Sequence, residues 1–147
     1  MNSSLARTIV VFAAVAITAA CHKAPATAAS PSMGGASARV ANGLPAGVTA
    51  RTIALGDSLF HASSCTRCHG ADAKGAQNGP NLTTGTHLHV NGTYDDFVRL
   101  ITSGVPKDSV QDKSHRFAMQ PRGGNQNPLN DEQIRAVAAY VYSLSHK

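Results

Sequence analysis

A chain of 147 residues makes one domain, with room for appendages. Aromatic residues make up 5% of it and there is no Trp, so its own side chains supply little bulk for a core and another group is expected to fill the middle. The net charge of +5 does not point to nucleic acid. Residues 1–50 hold Arg7, Lys23 and Arg39 with no acid, the rest sets ten basic residues against eight acidic ones, and no basic run or basic–aromatic stripe exists.

The first segment, "MNSSLARTIVVFAAVAITAAC", reads as an export signal over residues 1–20. Arg7 is its positive end, and "TIVVFAAVAITAA" is an apolar stretch ending in small residues. That stretch is shorter than the roughly 20 residues a spanning helix needs. Cys21 follows Thr18-Ala19-Ala20, which resembles the lipobox of bacterial lipoproteins, with Thr18 where that family carries a large aliphatic residue. The resemblance implies a lipidated Cys21 as the new N-terminus and a tether to a membrane. The alternative is ordinary cleavage near Ala20 and release as a soluble periplasmic protein. The odd cysteine count favours the lipid, because an unpaired cysteine in an exported protein otherwise needs an intermolecular partner or stays a free thiol. Residues 21–50 are rich in Ala, Pro, Ser and Gly and are expected to form a flexible linker with a span on the order of 30 Å.

Order is expected from residue 51 to 147. "RTIALGDSLFHASSC" has helical spacing, with Ile53, Leu55, Leu59 and Phe60 mostly on one side. Residues 70–93 are loop-like. "TYDDFVRLITSGV" is a second helix, with Thr93 as N-cap, Asp96 three residues on, and Gly104 as the stop. Residues 105–129 form another polar loop. "NDEQIRAVAAYVYSLSHK" is a terminal helix capped by Asn130, with Ile134, Val137, Ala138, Val141 and Leu144 on its apolar face. The fold class is all-α, three main helices with two loops long enough to carry function.

Cys65-Thr66-Arg67-Cys68-His69 has the form C-x-x-C-H, the attachment signature of haem c. Two cysteines one helical turn apart reach the two vinyl groups of a porphyrin, and the next residue supplies an axial nitrogen to the iron. A zinc site would need two more ligands, and His87 and His89 in H-x-H spacing do not match the usual pattern. A thioredoxin-like pair would need a βαβ context that is absent. A structural disulfide is possible in an oxidising compartment.

Residues 51–147 resemble a class I c-type cytochrome, the monohaem domain found alone or fused to bacterial oxidases and dehydrogenases. The resemblance rests on "LGDSLFHASSCTRCHGADAKG", on "GPNL" at 79–82, and on Val137 and Tyr140 in the terminal helix. It implies a small cytochrome c fold wrapped around one covalent haem. It further implies that Gly56 and Phe60 cross the terminal helix at Val137 and Tyr140. It assigns His69 as the proximal iron ligand, with the Pro80 carbonyl accepting a hydrogen bond from it. Met119, in "FAMQPRGG", stands where the family has its distal ligand. Gln120 intervenes before Pro121, whereas Met-Pro is common in the family. His115 is the rival to Met119. Arg99, Arg116 and Arg122 are open as partners of the haem propionates, and those two carboxylates would cancel the domain's +2.

The implied function is periplasmic electron transfer through a His/Met-ligated haem by a monomer without substrate chemistry of its own, its partners a redox donor and acceptor such as a dehydrogenase, an oxidase or another cytochrome. The alternatives are a dedicated haem subunit of a dehydrogenase or terminal oxidase, and a haem sensor or peroxidase with an open distal site. The N-terminal reading has its own test. Cys21→Ser is expected to abolish fatty-acid labelling and to release the protein from membranes into the soluble fraction. An unmodified mature wild-type N-terminus rules the lipid out.

Overall fold

The structure, a computed structural model, describes residues 43–147. The export signal, Cys21 and most of the linker lie outside the described residues. Order begins earlier than residue 51. Val48 is 1% exposed within the core, and Leu44 packs against the same cluster.

Helix α1 spans Ala50–Ala62. Thr49 caps it: its Oγ1 accepts from the Thr52 N–H at 3.2 Å, and Thr52 Oγ1 accepts in turn from the Thr49 N–H at 2.9 Å. The sequence pattern carries this helix to Cys65, but the structure breaks it at Ser63, whose backbone is extended. The serines explain the break. Ser63 Oγ lies 3.0 Å from Cys65 Sγ, and Ser64 Oγ donates to the Gly123 carbonyl, so both side chains are engaged outside a helical ladder. A separate one-turn helix, α2, covers Cys65–His69.

Helix α3 spans Tyr94–Ser103 and α4 spans Asp131–Ser145. Their caps match the sequence reading. Thr93 and Asp96 bond reciprocally at 3.1 and 3.2 Å, and Asn130 and Gln133 at 2.9 Å each way. Gly104 ends α3 with φ of +66°, a conformation that costs glycine least. The long loop from α3 to α4 holds 3-10 turns at Lys107–Ser109 and Pro121–Gly123. Among the described residues there are isolated bridges but no strand, and the fold is all-α. No described helix is long and apolar enough to cross a membrane.

The core forms where α1 crosses α4. A Cβ on Gly56 would sit 1.9 Å from the Ala136 carbonyl oxygen and 2.9 Å from Tyr140 Cβ, so only glycine permits this backbone approach. One turn on, Phe60 is 1% exposed and its ring meets Tyr140 with centroids 5.4 Å apart. Phe97, Ile101, Ile134, Val137 and Val141 complete the buried cluster. Helix α3 is tied to α4 by the Tyr94 hydroxyl, which donates to the Arg135 carbonyl at 3.3 Å. Leu55 departs from its expected side and is 43% exposed, because Gly56 and Phe60 are the buried positions of α1, with Ile53 and Leu59 packing at their margin.

This crossing leads to the first structural prediction. Gly56→Val is expected to destabilise the holoprotein by at least about 2 kcal/mol through overpacking. That corresponds to a fall in Tm of roughly 8–16 °C for a domain of this size. Ser58→Ala, on the exposed side of α1, leaves Tm nearly unchanged.

Candidate functional site

The two cysteines of α2 form no disulfide with each other, are half-buried, and sit one turn apart. Burial pushes the Cys65 thiol up from its ordinary value, which keeps it uncharged at neutral pH. The helix stops at Gly70, with φ of +77°, and the chain folds back so that the Gly75 N–H bonds the His69 carbonyl at 2.8 Å. The returning chain then presses on α2. A Cβ on Gly79 would lie 2.7 Å from the Cys68 carbonyl oxygen and 3.0 Å from His69 Nδ1.

That close approach brings the Pro80 carbonyl to 3.0 Å from His69 Nδ1. A carbonyl only accepts, so Nδ1 carries the hydrogen. Burial lowers the pKa of His69 first and foremost, the Pro80 bond opposes that, and the charge of His115 lowers it further. The ring is therefore neutral at neutral pH, with its lone pair on Nε2. This is the form that ligates a metal, and the hydrogen bond at the other nitrogen holds its plane.

Met119 is held from several directions. Its N–H and C=O pair with Val105 at 3.0 and 2.9 Å. Gly104 lets α3's end approach it, since a Cβ there would meet the Met119 carbonyl oxygen at 2.3 Å. Downstream, the Ser64–Gly123 bond fastens the same loop to the residue before Cys65, 59 positions away in sequence. The side chain is half-buried against the core cluster.

His115 is 9% exposed and has its Nε2 facing the Asp112 carboxylate at 3.8 Å. Asp112 is fixed by Ser114, whose N–H and hydroxyl it accepts at 2.9 and 2.7 Å. These bonds hold the Asp112 carboxyl below its usual range. An open cleft of about 520 Å³ runs from His115 and Asp112 past Leu88 and Asn81 to Pro80 and Lys74. It flanks the attachment turn and does not include Cys65, Cys68, His69 or Met119.

Other residues fall differently from the sequence reading. His87, within the 70–93 loop, packs edge-on against Phe97 with centroids 4.8 Å apart, its Nε2 buried. Arg99 is committed to Asp96 within α3. Arg122 donates to the Leu129 carbonyl at 2.8 Å and to Asp131 at 2.5 Å, so it braces the start of α4. Two positions gave no sequence signal. Ala136 supplies the backbone that Gly56 meets, and Ala73 is fully buried at φ of +55°, where its carbonyl accepts from the Leu82 N–H at 2.8 Å. An alanine at either place looks like any other alanine.

The donor set suits a haem c. It offers two thiols on one turn, a neutral imidazole oriented by its far nitrogen, and a thioether on a braced loop. Among the described residues, no group of three or more His, Cys, Asp or Glu forms a rival metal cluster.

Residues 53–145 match the family model described as cytochrome c. The chain belongs to the cytochrome c family, and its cofactor is covalently bound haem c. Among curated proteins it is similar to the Cbb3-type cytochrome c oxidase subunit CcoP of Rubrivivax gelatinosus, 37% identical over 100 residues, covering 65% of this chain and 27% of that protein. It is likewise similar to the CcoP subunit of Azospirillum brasilense, 32% identical over 95 residues, covering 65% of this chain and 32% of that protein. The chain thus spans a third or less of the length of these relatives. Among solved structures it resembles cytochrome cL of Methylophaga aminisulfidivorans, 26% identical with a TM-score of 0.52, covering 70% of this chain and 60% of that one.

The packing at Gly79 can be tested directly. Gly79→Ala is expected to push the Pro80 carbonyl away from His69 and so reduce the ligand's basicity. A weaker donor favours ferrous iron, so the reduction potential should rise, with the haem still attached. An unchanged potential in a folded variant would show that the Pro80 bond does not tune the ligand.

Proposed function

We propose that this chain is a haem-bearing electron-transfer module that serves a terminal oxidase on the periplasmic side of a membrane. In this reading Cys65 and Cys68 hold one haem through thioether bonds, and His69 and Met119 supply the two axial ligands. The similarity of the folded part to Cbb3-type oxidase subunits is the observation that carries it. Because the chain covers only part of those subunits, the oxidase itself is proposed as the partner and not as an activity of this chain.

The haem supplies one-electron chemistry at its iron. The protein's part is to hold two ligands still while the charge changes. His69 is kept neutral and oriented by Pro80, and the Met119 loop is braced by Val105 and by Ser64. A thioether favours ferrous iron and raises the potential relative to a second histidine. His115 is the weaker ligand candidate, since its Nε2 faces the Asp112 carboxylate. A second reading, a free shuttle between a separate donor and acceptor, rests on the resemblance of residues 51–147 to class I c-type cytochromes. Lipid at Cys21 would keep either form near the membrane.

The ligation and the partner have one combined test. Met119→Ala should keep the haem, lose the weak far-red absorption of methionine-ligated ferric haem, and bind carbon monoxide readily when reduced. If this variant is spectrally identical to wild type, Met119 only packs, and the sensor or peroxidase reading reopens. Mild detergent extraction should bring down wild-type protein with an oxidase. Recovery of the chain alone, with fast reduction by a soluble donor, supports the shuttle instead.

A further inference from the structure

His61, on the last turn of α1, has a hydrogen-bond acceptor at each ring nitrogen. Nδ1 lies 2.9 Å from the Asp57 carbonyl oxygen and 3.1 Å from its carboxylate Oδ1. Nε2 lies 2.9 Å from the carbonyl oxygen of Ala71. Carbonyl and carboxylate oxygens only accept here, so both nitrogens must donate. A neutral imidazole has a single N–H in either tautomer and would set a lone pair against a carbonyl lone pair. Only the imidazolium satisfies both contacts.

The far contact is what gives this geometry a role. Ala71 lies two residues beyond His69, in the turn where the Ala73 N–H bonds the Gly70 carbonyl at 3.1 Å. The ring therefore joins α1 to the chain leaving the iron ligand. We propose that His61 is a cationic positioning residue that pins this segment, and that its charge makes the haem's reduction potential fall as pH rises through its titration.

The groups around His61 agree with a cation. From α1 there is Asp57. From α4 there is Tyr140, its ring centroid 6.4 Å away and its phenol kept neutral because burial, then Asp57 and Asp72, push its pKa up. From the loop there is Asp72, beside Ala71, with Lys74 4.0 Å from its carboxylate. The bond to the Asp57 carbonyl is the largest cause raising the pKa of His61 above its ordinary value of 6.5, and desolvation opposes it. The folded value is raised, so the pin's contribution to stability is complete below the unfolded value near 6.5 and is lost as pH rises through the folded one. The side chain is half-exposed, so the proton exchanges freely with solvent.

The redox consequence follows from charge. A nearby cation disfavours ferric iron, which carries one more positive charge than ferrous, and so raises the potential. Deprotonation removes that charge, leaves the Asp57 carboxylate uncompensated, and lowers the potential. By linkage the effect is reciprocal: reduction of the iron must raise the pKa of His61.

The experiment uses the full holoprotein, whose colour after acid-acetone extraction reports haem attachment independently of His61. Ring nitrogens are followed by NMR across roughly pH 5 to 9 in both redox states. His61 should carry two N–H groups at neutral pH, with a midpoint above the ordinary histidine value and higher in the ferrous protein than in the ferric. Through that window the potential of wild type should fall with pH. His61→Gln should lose that part of the slope with the haem retained, and His61→Arg should hold the low-pH potential throughout. A neutral single-tautomer ring at pH 7, or equal midpoints in the two redox states, overturns the proposal even if no variant folds. So does a His61→Gln protein that keeps the wild-type slope.

Discussion

The rest of the fold hangs on a contact without side chains, the approach of Gly56 to the backbone of Ala136. Helices normally keep their axes 8–10 Å apart because side chains stand between them. Here a Cβ on α1 would fall 1.9 Å from a carbonyl oxygen of α4, so the helices meet more closely than any other residue allows. That approach sinks Phe60 against Tyr140 and aims the end of α1 across α4. Ser63 and Ser64 then turn the chain, and α2 starts with Cys65 already set against the core.

The site is assembled from loops, and its precision comes from how they are fastened. Backbone groups do most of this: the Pro80 carbonyl on His69, the Ala71 carbonyl on His61, Val105 paired with Met119, and the Gly123 carbonyl on Ser64. Each fastening ties a loop segment close in sequence to His69 or Met119 to another stretch of the chain. Glycines at 79 and 104 permit two of these contacts at distances no Cβ tolerates. A one-electron carrier benefits from such bracing, because a ligand that hardly moves on reduction keeps the reorganisation cost low.

The charges near the site are arranged in pairs. His115 faces Asp112, and His61 faces Asp57, while Arg99 and Arg122 are committed to the ends of α3 and α4. His69 is held neutral, by burial. The overall excess of basic residues therefore says little about where the haem edge meets a partner.

Much of this was determined by sequence alone, where the signal is local. C-x-x-C-H states its chemistry within five residues, and the caps at Thr93 and Asn130 follow from side chains reaching their own helix's first N–H groups. The partnership of His69 with Pro80 was legible through family resemblance, since "GPNL" stands at a fixed place after the attachment turn. Tertiary structure decided what depends on distant backbone. The end of α1 at Ser63, the exposure of Leu55, the burial of Val48 and the roles of Ala73 and Ala136 all turn on what lies opposite them in space. The protonation of His61 belongs to the same class. An isolated histidine on a helix looks like surface, and only the carbonyl of Ala71, brought in by the turn after His69, gives its second nitrogen an acceptor to donate to.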